Sequence, residues 1–181
     1  MRKPIMLMDL CEKLWDLHEA KKDEKDCCIF PKHPKPKEVL LVCGKGKNVD
    51  LNNVYEGVLD PPILLARVAV DTSCLCKPLV KIDFSTIIEA DPNGDEAELV
   101  IALKRTCNGN CMILEKYELE FNDVEVLPFS FTFCDDDFHC KEGCCIYTVE
   151  IIKIDVEGGD KLEELETNST AINAIAQGLC D

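Results

Sequence analysis

Val124-Glu125-Val126-Leu127-Pro128-Phe129-Ser130-Phe131-Thr132-Phe133-Cys134 is the stretch on which the fold turns. Leu127, Phe129, Phe131 and Phe133 share one side of an extended chain, with Ser130 and Thr132 on the other. Side chains alternate across a strand with period two, so the run predicts a sheet with one face on a core. Phe133 is read as part of that core rather than as a cofactor contact.

Working outward, the same pattern recurs. Val39-Leu40-Leu41-Val42-Cys43 is a strand run closed by Gly44-Lys45-Gly46-Lys47-Asn48, and Val49 to Val58 is a short strand that Asp60-Pro61-Pro62 breaks. Leu64 to Asp71 alternates, with Leu64, Ala66, Val68 and Val70 opposite Leu65, Arg67 and Ala69. Leu79 to Ile88 sets Val80, Ile82 and Phe84 against Lys81, Asp83 and Ser85, and Asp91-Pro92-Asn93-Gly94-Asp95 is a turn signal. Leu99 to Arg105 and Ile113 to Phe121 form a hairpin across Cys107-Asn108-Gly109-Asn110-Cys111, whose centre is the turn dipeptide Asn-Gly. A bond between Cys107 and Cys111 would staple that turn; alternatively each pairs elsewhere or stays reduced. Ile146 to Val156 is β-rich, Leu162 to Leu165 reads as one helical turn, and Thr167 to Gln177 as a last strand. About eight strands with turn signals between them predict an all-β protein, a β-sandwich of jelly-roll type.

The 181 residues divide into a body, 38–181, and an N-terminal extension, 1–37. The apolar fraction of 46% supports a real core. No apolar run approaches the 18 or so residues of a membrane span. Met1-Arg2-Lys3 and Ile5-Met6-Leu7-Met8 imitate a signal peptide, but Asp9, Glu12, Lys13 and Asp16 end the imitation. The net charge of −15 disfavours nucleic-acid binding. It is uneven: residues 1–37 hold nine Lys/Arg and seven Asp/Glu, net +2, and the rest hold eleven and twenty-eight, net −17.

Within the extension, residues 5–22 read as an amphipathic helix. Leu7, Leu10, Leu14 and Leu17 form its stripe, with Met8, Cys11 and Trp15 beside it. So short a helix is marginal alone, so the stripe packs on its own body or docks on a neighbour. Then comes Cys27-Cys28-Ile29-Phe30-Pro31-Lys32-His33-Pro34-Lys35-Pro36-Lys37. Adjacent Cα atoms lie about 3.8 Å apart, below the roughly 4.4–6.8 Å of an unstrained disulfide, so Cys27 and Cys28 each need another partner. The three prolines favour a stiff polyproline arm. A stiff arm reaches a neighbouring molecule more readily than its own body.

Thirteen cysteines are many for a reduced cytosolic protein. No C-x-x-C occurs, which weakens zinc-ribbon, thioredoxin-like and haem-attachment readings. Disulfides fit better, and the odd count leaves a free thiol or an intermolecular bond. Cys134-Asp135-Asp136-Asp137-Phe138-His139-Cys140 with Cys144-Cys145 is the densest metal candidate. Its spacing matches no zinc signature, and in a strand Cys144 and Cys145 point to opposite faces. Disulfides that pin the loop are the preferred use of Cys134, Cys140, Cys144 and Cys145. Asp135-Asp136-Asp137 lacks the glycine and closing Glu of a calcium loop and reads as an exposed acidic turn. Cys74-Leu75-Cys76 is favoured as structural over redox use. His18 and His33 have no companion nucleophile, and no phosphate-cradling loop occurs. No cofactor, metal or catalysis is therefore expected.

Two resemblances add to this. Ala69-Val70-Asp71-Thr72-Ser73-Cys74-Leu75-Cys76-Lys77-Pro78, Val80-Lys81-Ile82-Asp83-Phe84-Ser85-Thr86-Ile87-Ile88, Phe131-Thr132-Phe133-Cys134 and Cys144-Cys145-Ile146-Tyr147-Thr148-Val149-Glu150 resemble a domain family of anaerobic spore-forming bacteria, over roughly residues 38–178. The arm, with Cys27, Cys28 and then Cys43, resembles the N-terminal connector of endospore appendage fibre subunits. Those subunits are jelly rolls without signal peptides that stack into helical fibres by disulfide-bonded connectors. The resemblance implies a homopolymeric extracellular fibre subunit, at the spore or cell surface, made without a recognisable signal peptide. It implies Cys28 and Cys27 of one copy bonded to Cys43 and Cys180 of another. The present extension is longer and the body richer in cysteine. The alternatives are an irregularly cross-linked spore-coat or surface protein and a cysteine-rich metal- or redox-binding protein.

Overall fold

The computed structural model describes residues 39–73, 75, 77–92, 96–122, 125–136, 143–158 and 161–179. The expected helix with Leu7, Leu10, Leu14, Trp15 and Leu17, and the arm with Cys27 and Cys28, lie outside the described residues. Ten strands are present among them: β1 (Val39–Cys43), β2 (Lys45–Gly46), β3 (Val49–Tyr55), β4 (Gly57–Asp71), β5 (Pro78–Asp91), β6 (Glu96–Cys107), β7 (Asn110–Asn122), β8 (Glu125–Asp135), β9 (Cys144–Glu157) and β10 (Lys161–Gly178). The first sheet runs β1-β10-β5-β8, with β3 also paired to β10; the second runs β2-β4-β9-β6-β7. Every pairing is antiparallel. The described part of the protein is all-β, and the two sheets share one core.

Alternation builds that core. Val80, Ile82, Phe84, Ile88 and Ala90 of β5 are buried, as are Leu99, Ile101 and Leu103 of β6. The aromatic run of β8 faces inward as expected but is only half-buried, because β8 is an edge. Its rings close the sandwich at that edge. Phe131 stacks on Tyr117 of β7 at 4.5 Å, and Phe84 lies 5.3 Å from Phe131. Such pairs add about 0.5–1.5 kcal/mol beyond area burial.

Four expectations are corrected, each by irregular strand geometry. The prolines at 61 and 62 do not break a strand; β4 runs through them. Its register on β9 jumps between Val58 and Ile63, and a bulge accommodates residues that cannot donate to the ladder. Leu65 joins Ala66, Val68 and Val70 in the core, because a second irregularity between Leu64 and Ala66 interrupts the alternation. Leu162 to Leu165 is not a helical turn but the start of β10. Both leucines are fully buried, and their spacing of three reflects a lapse in the pleat. Gly44 to Asn48 is more than a closing loop. After β1 the chain leaves the first sheet and pairs as β2 with β4 of the second.

That crossing explains two glycines. At Gly46 a Cβ would lie 1.8 Å from the Thr170 carbonyl oxygen, and at Gly44 2.6 Å from that of Arg67. Thr170 sits in the β10 bulge between Asn168 and Ala171. The bulge also satisfies the buried Thr86 hydroxyl, 2.9 Å from that of Thr170. The β6–β7 hairpin turns on Asn108 and Gly109, both at positive φ (50° and 81°), as a two-residue primed turn requires.

Gly46→Ala is expected to lower stability by about 1–3 kcal/mol or more, because backbone on both sides must move. Urea unfolding monitored by tryptophan-independent far-UV circular dichroism measures it, and an unchanged midpoint would contradict the packing described.

Candidate functional site

The candidate site is the arrangement of sulfurs. Pleat parity sorts them. Cys107 of β6 stands directly opposite Cys145 of β9, with Cα atoms 4.4 Å apart, and the two are disulfide-bonded. That spacing matches a non-hydrogen-bonded antiparallel pair. Both residues are buried, 5% and 0% exposed. The anticipated Cys107–Cys111 staple is therefore wrong. Cys107 pairs in register with Asn110, one residue before Cys111. Adjacent residues face opposite sides, so the Cys111 sulfur is turned away from Cys107. Cys111 is itself disulfide-bonded. The predicted opposition of Cys144 and Cys145 holds, with Cys145 in the core and Cys144 partly exposed. Cys145 is committed to Cys107, which takes one donor from the metal candidate; His139 and Cys140 lie outside the described residues. So do Cys74, Cys76 and Cys180. Among the described residues no group of three His, Cys, Asp or Glu is placed to hold a metal.

Beside the disulfide lies a buried polar network that sequence reasoning missed. Arg105 Nη1 donates to both carboxylate oxygens of Asp135 at 2.8 Å, and Tyr147 Oη donates to Asp135 Oδ2 at 2.8 Å. Arg105 and Tyr147 face each other on β6 and β9, whereas Asp135 ends β8, so the ion pair ties one sheet to the other. Asp135 is 3% exposed. The exposed acidic turn expected at 135–137 is corrected at this residue; Asp136 is exposed and Asp137 lies outside the described residues. The missed signal was the period itself, since Phe131 and Phe133 lead inward to Asp135. Burial, then the Asp135 charge, hold the Tyr147 phenol far above its ordinary pKa, against a smaller opposing effect of Arg105. A second buried pair, Lys104 Nζ to Glu150 Oε2 at 2.6 Å, links β6 to β9.

Among the described residues two thiols are free and exposed: Cys43 on β1 and Cys134 on β8. These strands are the opposite edges of the path β1-β10-β5-β8. Cys43 shares a cross-strand row with Asn173, Asp83 and Thr132; Leu41 shares the next with Ile175, Lys81 and Cys134. The thiols thus stand three strand spacings, about 14 Å, apart across the sheet and two residues, about 6.7 Å, apart along it. Their own molecule cannot join them. Elsewhere on this sheet the cross-strand pairs Glu164–Asp91, Glu166–Glu89 and Glu166–Asp50 place like charges together.

Arg105→Met should cost about 3–5 kcal/mol, because Asp135 is left charged and buried; adding Asp135→Leu should recover much of that loss. Denaturant unfolding of the three proteins checks this, and equal losses for single and double variants would contradict it. Above pH of about 10 an unfolded tyrosine releases its proton while native Tyr147 keeps it. Stability present below that pH is therefore lost as pH rises, by about 1.4 kcal/mol per unit for this group. Tyr147→Phe should flatten the alkaline limb of the stability curve by that slope.

Comparison with known proteins adds a family. No curated protein matches the sequence. Among solved structures, the chain is similar to that of an infectious bursal disease virus Gx strain, at 9% identity and TM-score 0.48, covering 80% of this chain and 33% of that one. The VP2 subviral particle of infectious bursal disease virus gives 10% identity and TM-score 0.41, covering 78% and 32%. Eiger TNF from S. frugiperda gives 15% identity and TM-score 0.38, covering 81% and 95%. The chain spans about a third of the length of the viral chains. Residues 37–177 match the model of DUF4489, a domain of unknown function, and the chain belongs to that family.

Proposed function

We propose that this protein is a structural subunit, a jelly-roll β-sandwich that self-assembles into a disulfide-cross-linked extracellular fibre of the endospore-appendage kind. The observation that carries the reading is the division of the described sulfurs: Cys107 and Cys145 are sealed inside, whereas Cys43 and Cys134 are free and exposed on edge strands. An internal bond stabilises a small domain by about 2–5 kcal/mol. Exposed edge thiols that make no bond within one molecule support a role in joining two. The arm supplies further sulfurs, since Cys27 and Cys28 cannot bond each other without strain. Its net charge of +2 against −17 for the rest favours its approach to another copy's body. By resemblance, Cys43 and Cys180 are the arm's mates. The reaction class is oxidative self-assembly, with no catalysis and no cofactor, in an oxidising place at the spore or cell surface.

Cys27→Ser combined with Cys28→Ser should leave monomers, or polymers that fall apart in hot detergent. Negative-stain images of the full chain and the double variant, with and without reductant, provide the test. Detergent-resistant fibres from the double variant would refute the arm's role; irregular aggregates from the parent chain would favour a cross-linked coat protein instead.

A further inference from the structure

The geometry points to a second contact: β1 of one copy pairs with β8 of the next, and Cys43 bonds Cys134 across that seam. This rests on the self-assembly reading but on none of its arm chemistry, and it gives Cys43 a different mate from the one the resemblance implies. Strand direction is the first argument. Neighbours along β1-β10-β5-β8 are all antiparallel, so β1 and β8 run in opposite directions. A second copy placed beside the first in the same orientation therefore sets its β8 antiparallel to the first copy's β1. The ladder continues without a change of pattern, as in strand addition at a sheet edge.

Exposure is the second argument. Among the described strands β1 and β8 each pair on one side only. Unpaired edges are ordinarily protected by charge, proline or bulges. Pro128 protects one half of β8, level with Ile87. The half bearing Thr132 and Cys134 has no proline, and it is the half level with β1. On β1 itself Val39 and Leu41 are 55% and 71% exposed, unusual for an edge left to water.

Register is the third. Continued flat, the rows would put Cys43 opposite Thr132 and Leu41 opposite Cys134. A slip of two residues, about 6.7 Å, sets Cys43 opposite Cys134. An even slip keeps every side chain on its own face. Directly opposed antiparallel residues have Cα atoms about 4.5–5.5 Å apart, inside the disulfide range. The contact joins two different edges, so it is heterologous and propagates as an open, staggered array. Five residues of β1 make a weak contact alone, and the covalent bond locks it. Oxidation needs a two-electron acceptor, a small-molecule disulfide. A thiolate attacks it, and the mixed disulfide is resolved by the second thiol. One S–S bond forms, one is cleaved, and both protons and electrons leave in two small thiols.

The test uses the full chain carrying Cys27→Ser and Cys28→Ser, in a buffer of oxidised and reduced glutathione. Non-reducing gels and mass mapping of cross-linked peptides are the readouts. The expected result is a ladder of covalent oligomers with Cys43 peptides joined to Cys134 peptides. Adding Cys43→Ser or Cys134→Ser should each reduce the ladder at least ten-fold, with thermal unfolding unchanged since both sites are exposed. Mixing those two variants should restore dimers but nothing longer, because only one complementary pair of edges remains. Dimers from either variant alone, a mixture without dimers, or Cys43 mapped to another residue would overturn the inference. Loss of robust fibres with the seam bond intact would count for the arm alone, so the two readings fail separately.

Discussion

Pleat parity is the constraint on which the rest of this molecule depends. In a strand, neighbouring side chains face opposite sides, so each sulfur is committed to the core or to solvent by its position. Cys107 and Cys145 share the inner face in one row and bond. Cys111, one residue past the register partner of Cys107, cannot join them. Cys134 faces out while its neighbour Asp135 faces in to meet Arg105 and Tyr147. One rule thus separates the buried Cys107–Cys145 bond from the exposed thiols of Cys43 and Cys134, while Cys111, turned away from Cys107, is bonded elsewhere.

The inner set is mutually dependent. The disulfide pair and the Arg105–Tyr147 pair occupy adjacent inward rows of β6 and β9, and Asp135 reaches them from the other sheet. A buried ion pair is weak evidence of net stability but costly to break. Here it also ties the two sheets together, since Arg105 Nη1 and Tyr147 Oη on the second sheet both hold Asp135 on the first. The aromatic contact between Phe131 and Tyr117 closes the neighbouring edge of the sandwich.

The strands were legible wherever alternation was unbroken. β5, the β6–β7 hairpin and the aromatic run of β8 follow the written pattern, and Asn108-Gly109 announced its turn. What was illegible came from bulges and from long-range pairing. Pro61 and Pro62 look like breakers because nothing local says that β9 will hold the flanking residues. Leu162 and Leu165 imitate a helix because a lapse in the pleat gives the spacing of a turn. Asp135 looked solvated in an acidic triplet, and only its partner on a distant strand explains its burial. Cys107 was judged by its nearest cysteine in sequence, whereas its mate lies 38 residues away across a ladder.

The most direct test of this account is a map of thiol state in the monomer carrying Cys27→Ser and Cys28→Ser, by alkylation before and after unfolding followed by peptide mass analysis. The account predicts that Cys43 and Cys134 are alkylated in the folded protein, and that Cys107 is recovered linked to Cys145. A Cys107–Cys111 peptide, or Cys43 and Cys134 reacting only after unfolding, would contradict the assignment of sulfurs to inner and outer faces.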